Sequence, residues 1–251
     1  ARAVKTNDNK PFSASPCGAF RGYTPMKAKL LPLFLLTALP AAALAATPPN
    51  TLVVVQSLDD IVSLDPAEAN ELSSIQTVPS LYQRLVQADR DDPAKVAPVL
   101  AESWQSDAAA KTLTVKLRPQ AAFASGNPLT ADDVIFSYSR AVKMNKSPAF
   151  ILNVLGWQPD NIDAQLKKID EHTVQLRWTA DVSPAVALNI LSTPIASIVD
   201  SKAALANVKD GDFGNAWLKM HSAGSGPFKM RVYQPHQAIV LDANPTTPGD
   251  K

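Results

Sequence analysis

The 251 residues are 46% hydrophobic and 19% charged, carry 24 Lys and Arg against 23 Asp and Glu, and include one cysteine, Cys17. With no basic block, this balance gives no electrostatic case for nucleic acid or an anionic membrane surface as partner. A lone cysteine leaves the redox compartment to be inferred from other segments.

Residues 1–25 begin without Met and show neither helical nor strand periodicity, so they read as an upstream extension. From Met26, "MKAKLLPLFLLTALPAAALAA" has the three parts of a cleavable export signal. Lys27 and Lys29 supply the positive end, Leu30 to Leu39 the apolar middle, Pro40 a helix break, and Ala43-Leu44-Ala45 the small-residue cleavage site. A membrane anchor fits less well, because the stretch from Leu30 to Ala46 is shorter than the roughly 20 residues a span needs. It is also interrupted by Pro32 and Pro40. Cleavage is expected after Ala45, with residues 26–45 as the signal peptide. Six of the 24 basic and one of the 23 acidic residues precede that point, leaving 18 basic against 22 acidic and a mildly acidic mature chain.

Thr51–Val55, "TLVVV", is a β-branched run expected to form a buried strand. "SLDDIVSLDPAEANELSS" reads as a loop punctuated by Pro66. A helix is expected from Ser73 to Val86, with Ile75, Val78, Tyr82 and Leu85 on one face and Pro79 delaying or kinking it. "KTLTVKLRP" alternates Leu113, Val115 and Leu117 with polar residues, a half-buried strand stopped by Pro119. In "NPLTADDVIFSYSRAV", Thr130 and Asp133 form a capping box for a helix that turns Val134, Tyr138 and Ala141 inward. "HTVQLRW" is a second alternating strand, with Val174, Leu176 and Trp178 on one side. "GPFKMRVYQPHQAIVLDAN" reads as a hairpin turning at Gln234–Gln237. Strands and helices intermix without a βαβ period, which predicts a mixed α/β domain, a sheet with helices packed on it.

The chain carries no recognisable reactive group. His172, His221 and His236 are far apart, and none has a Cys, Asp or Glu at metal-ligand spacing, so no metal or cofactor is expected. Ser225 in "AGSGPF" lacks the leading glycine of a nucleophile elbow, and neither a P-loop nor a dinucleotide fingerprint occurs. Asp132 and Asp133 are explained by the positive end of a helix. Trp104 and Trp178 fall in core patterns, whereas Trp157 and Trp217 fit either packing or an aromatic floor.

The segments "SLDP" (63–66), "LYQRLV" (81–86), "VAPVLAESWQ" (96–105), "LTVKLRPQAAFASGNPLTADDVIFSYSRAV" (113–142), "IDEHTVQLRW" (169–178), "GSGPFKM" (224–230) and "IVLDANP" (239–245) resemble, in order, the family 5 extracellular solute-binding proteins of ABC importers. The match departs at Gln83-Arg84, Ala124-Ser125 and Thr246-Thr247, where other residues are usual. The resemblance implies a periplasmic, monomeric, two-lobed clamp that is not an enzyme. It would hold a peptide, an opine-like derivative, a metal chelate or haem, and deliver it to an inner-membrane ABC permease. Residues 46–251 would then form an incomplete N-terminal lobe, without the second. It further implies cleft positions at Glu68, Ala69, Asn70 and Phe150, and a hinge approach at Gly224, Ser225 and Gly226. Read alone, Glu68 and Asn70 also fit a solvated loop, Phe150 a core, and the glycines a turn. The missing motifs argue against an exported hydrolase. A non-transport receptor or chaperone on the same scaffold stays open, since it too would act by binding alone.

Overall fold

The computed structural model describes residue 48 and residues 50–247. The expected upstream extension (1–25) and export signal (26–45) lie outside the described residues. The chain divides into two units, Ala1–Val53 and Val54–Lys251. In the first, the Thr51 N–H donates to the Pro48 carbonyl at 2.9 Å. The buried strand expected at Thr51–Val55 is not formed. Leu52 and Val53, and Val54 and Val55 at the start of the second unit, are 87, 62, 68 and 94% exposed and join no ladder. Strand preference is realised only against a neighbouring edge and a surface to pack on, and no described strand pairs with this run.

In the second unit, α1 spans Leu72–Leu81. It stops earlier than the periodicity predicts because Tyr82 turns extended, at φ −127° and ψ 147°, three residues after Pro79. The expected inward face nevertheless holds for Val78, Tyr82 and Leu85, all buried, while Ile75 is exposed. β1 (Val86–Ala88) and β2 (Val96–Pro98) form an antiparallel ribbon. β3 (Ala101–Asp107) and β4 (Thr112–Leu117) lead to α2 (Ala131–Met144). Two short helices follow, α3 (Ala149–Asn153) and α4 (Ile162–Gln165), then β5 (Leu166–Asp170) and β6 (Thr173–Arg177).

The main sheet has the order β3-β4-β6-β5 and is antiparallel throughout. Register pairs Leu113 with Leu176 and Val115 with Val174, so the alternating residues of β4 and β6 share one buried face. That face meets α2 and forms the larger core with Phe123, Leu129, Tyr138, Leu152, Trp157 and Trp178. Each fully buried Leu or Val contributes about 1.5–3 kcal/mol. The capping reading holds: the Asp133 carboxylate accepts from the Thr130 N–H at 2.9 Å. Asp133 also accepts from the N–H and hydroxyl of Ser201, at 3.0 and 2.6 Å, and so ties the helix start to a distant loop.

The remaining elements are α5 (Pro184–Leu191), a 3₁₀ turn (Pro194–Ala196), α6 (Ser201–Leu205), α7 (Asn215–Leu218) and the hairpin β7 (Phe228–Gln234) and β8 (Ala238–Ala243). A second, smaller core gathers Ala69, Val78, Leu81, Tyr82, Val199, Ala204, Leu218 and Ala223. The mixed α/β class expected from the sequence is therefore the observed one. No helix among the described residues is long and apolar enough to cross a membrane.

Candidate binding site

The loop after "SLDP" is built around a buried ion pair. Arg140 of α2 donates from Nη1 and Nη2 to the two carboxylate oxygens of Asp65, at 2.8 and 2.7 Å, with the side chains 1% and 0% exposed. Two buried charges are tolerable only when their remaining hydrogen-bonding capacity is met. Here the Asp65 carboxylate also accepts from the Ala67 N–H at 3.0 Å and from Asn215 Nδ2 at 2.8 Å. Arg140 Nε donates to the Phe213 carbonyl at 3.2 Å. Backbone geometry places the Asn215 amide: Gly214, just before α7, has φ +79°, and a Cβ there would sit 2.6 Å from the Ala204 carbonyl oxygen. Only glycine satisfies both constraints.

The network reaches the surface at Glu68. Its carboxylate accepts from Asn215 Nδ2 at 3.0 Å and Lys219 Nζ at 3.1 Å, with Lys146 at 3.6 Å. Burial pushes the Glu68 carboxyl up, but the hydrogen bonds from Asn215 and Lys219 and the two lysine charges outweigh it and hold it below the usual 4.5. A depressed carboxylate contributes stability above its unfolded value, and loses it as pH falls through the folded one. Wild type should therefore melt above Glu68→Gln at pH 7, and thermal scans should show that gap closing as pH is lowered below about 4.5. A gap independent of pH would contradict the assignment.

Ala69 is buried in the smaller core and Asn70 is exposed. The glycine segment meets the same core from the other side. The Gly226 N–H donates to the Leu81 carbonyl at 2.9 Å, the Ala223 N–H donates to the Tyr82 hydroxyl at 3.2 Å, and the Ala124 N–H donates to the Gly224 carbonyl at 3.0 Å. A Cβ on Gly224 would run into the Leu81 carbonyl, and one on Gly226 would lie 2.7 Å from the Ser80 oxygen. Both glycines are thus required by close backbone approach, and neither is among the positive-φ residues. Ser225 is buried between them, its hydroxyl without a hydrogen-bond partner. Asn244 Nδ2 and the Thr247 hydroxyl close the segment by donating to the Gly226 carbonyl at 2.8 and 2.7 Å.

The structure thus brings the 68–70 loop and the 224–226 segment onto one small core. Phe150 lies on α3, which packs against α2, α5 and the 3₁₀ turn, and it is 63% exposed. Trp157 and Trp178 are buried, Trp104 and Trp217 half-buried, so the four do not form one floor. The histidines lie at the β5–β6 turn, after α7 and in the β7–β8 turn. Among the described residues no group of three or more His, Cys, Asp and Glu could hold a metal ion.

Sequence reasoning missed the polar anchors. Asp65, Arg140 and Asn215 are far apart in the chain, and their only local signal is an arginine inside an otherwise buried helix. Buried Asp200 is a second such anchor, accepting from Ser125 Oγ at 2.6 Å and Asn127 Nδ2 at 2.8 Å while capping α6 through the Ala203 N–H at 3.0 Å.

The chain spans 39–42% of the length of the first three curated relatives it matches. One is the probable D,D-dipeptide-binding periplasmic protein DdpA of Escherichia coli (strain K12), 33% identical over 225 residues, covering 88% of this chain and 41% of the relative. Among solved structures, Haemophilus influenzae OppA in complex with RPPGFSPFR superposes with a TM-score of 0.60 at 26% identity, over 74% of this chain and 36% of that one. The Escherichia coli murein tripeptide binding protein MppA shares the fold, with a TM-score of 0.63 at 24% identity over 78% and 40%. The profile of the bacterial extracellular solute-binding proteins, family 5 (middle part), matches residues 95–249. Matching well over half of its length, the chain belongs to the family 5 bacterial extracellular solute-binding proteins.

Proposed function

We propose that this chain is one lobe of the substrate-binding component of an ABC-type peptide importer. It would capture its solute in the periplasm and pass it to an inner-membrane permease. The observation that carries this reading is the 33% identity over 88% of the chain to a D,D-dipeptide-binding periplasmic protein. The site chemistry agrees with it: hydrogen-bonding side chains and close-packed backbone surround the 68–70 loop and the glycine segment. Asn70 and Phe150, both exposed, would meet ligand from this side. Glu68, already engaged by Asn215 and two lysines, would shape the local charge, and Gly224–Gly226 would lie near the hinge. In this reading residues 26–45 are removed by cleavage after Ala45, residues 1–25 lie upstream of that signal, and the product is monomeric.

A clamp of this kind is stabilised in its closed form only by a ligand that contacts both lobes. The test is calorimetry with di- and tripeptides on two proteins, the 251-residue chain and the full product of the reading frame that contains it. Micromolar affinity is expected for the full product and none at that level for the 251 residues. A full product without peptide affinity would refute the reading, as would micromolar binding by the shorter chain alone.

A further inference from the structure

Between α7 and the β7 strand runs an open groove of about 400 Å³, lined by Trp217, Met220, His221, Ser222, Met230, Arg231, Val232 and Tyr233. It shares α7 with the polar network behind the 68–70 loop, but none of its lining residues belongs to that network, and the functional reading above makes no use of it. The donors that meet here are of an unusual kind. Of the four methionines in the chain two line this one groove, and one of the three histidines lies between them in sequence.

His221 is oriented. Its Nδ1 lies 2.9 Å from the Trp217 carbonyl, which can only accept, so Nδ1 carries the proton and donates. Nε2 is then the free lone pair, and the exposed ring leaves it accessible. A backbone carbonyl on one ring nitrogen is the usual partner of a histidine that ligates metal through the other. The ring is also stacked on Trp217, with centroids 4.8 Å apart and planes 4° from parallel, so its direction is set twice. Met230 is half-buried against the smaller core, which fixes its stem, whereas Met220 is exposed on the groove edge. Unbranched thioether side chains have enough rotatable bonds to converge on a point between them. Arg231, the one cation of the lining, has the Asp242 carboxylate at 3.7 Å.

We infer that Met220, Met230 and His221 form a soft-metal site that takes monovalent copper, with the face of Trp217 beside the ion. Two thioethers and one imidazole are a donor set for Cu(I), while Zn(II) and Ni(II) favour more imidazole, thiolate or oxygen ligands. The indole face adds attraction for a cation near the ring.

Silver(I), a redox-stable stand-in for Cu(I), is the probe, in chloride-free buffer and in the 251-residue chain carrying Cys17→Ser to remove its only thiol. Calorimetry should give one Ag(I) per chain, and the methyl resonances of Met220 and Met230 should shift in NMR while those of Met26 and Met144 stay. Met220→Leu, Met230→Leu and His221→Ala should each weaken binding tenfold or more. The Met→Leu changes conserve volume and keep the fold, as circular dichroism would verify. Competition against a chromogenic Cu(I) chelator should reproduce the ranking, and Zn(II) and Ni(II) should show no binding at the same concentration. Undiminished Ag(I) affinity in any one of the three variants, or shifts confined to Met26 and Met144, would overturn the assignment.

Discussion

Arg140→Ala is expected to lower the unfolding free energy by about 3–5 kcal/mol, the range seen when one partner of a buried ion pair is removed. The Asp65 carboxylate, fully buried, would keep the Ala67 N–H and the Asn215 amide but lose both bonds from the guanidinium. The carboxylate is 0% exposed in the wild type, and a charge isolated in this way is costly. The loss is a large share of the stability of a typical domain, about 5–15 kcal/mol, and at the low end of that range much of the variant population would be unfolded at 37 °C. Urea denaturation followed by circular dichroism gives the number. The double variant Asp65→Leu/Arg140→Met should recover part of the loss, because replacing both charges removes the desolvation penalty along with the attraction, while the Ala67 N–H left without its acceptor keeps the recovery incomplete. A single-variant loss below about 1 kcal/mol would fit a solvent-screened pair and contradict the burial on which the loop's rigidity rests.

Gly224→Ala should be the next most damaging change, and it acts through shape alone. The added methyl would run into the Leu81 carbonyl at the end of α1 and lie 2.7 Å from Cδ1 of the Tyr82 ring. Both neighbours are backbone or fully buried, so neither can rotate away. Inserting a methyl into such packing costs about 1–3 kcal/mol, occasionally more. The 223–226 segment would have to move off α1, breaking the Gly226 N–H bond to Leu81 and the Ala223 N–H bond to the Tyr82 hydroxyl. Amide exchange at Gly226 and Ala223 reads that movement directly, and a thermal melt reads its cost. Ser225→Ala is the control: it removes a buried hydroxyl that has no partner, so stability should hold or rise. If Gly224→Ala were as neutral as Ser225→Ala, the close approach of these two segments would be refuted.

Local rules were legible wherever one element's own residues decide the outcome. Alternation in "TLTVKL" and "TVQLR" foretold two strands with one buried face, and register then set Val115 opposite Val174. Thr130 and Asp133 announced the start of α2, since a cap is a bond between residues three apart. The order of the motifs along the chain is that of the family to which it belongs. The same rules misjudged Thr51–Val55, where β-branched residues are present but no described strand pairs with them. They also placed Tyr82 in a helix, where buried-face spacing continued past the residue at which the backbone turns extended.

The composition and periodicity of this chain therefore determined by themselves its class, the strands β4 and β6, the helix α2 and the β7–β8 hairpin, because each depends on neighbours within one turn, one strand or one hairpin. Tertiary structure alone decided which polar residues matter. Asp65, Arg140, Asn215 and Glu68 meet across 75 to 150 positions, and so do the glycines and the end of α1. Such meetings follow from the burial of distant segments against one another, where an unpaired charge or a surplus methyl carries its full cost, and no local pattern in the chain records them.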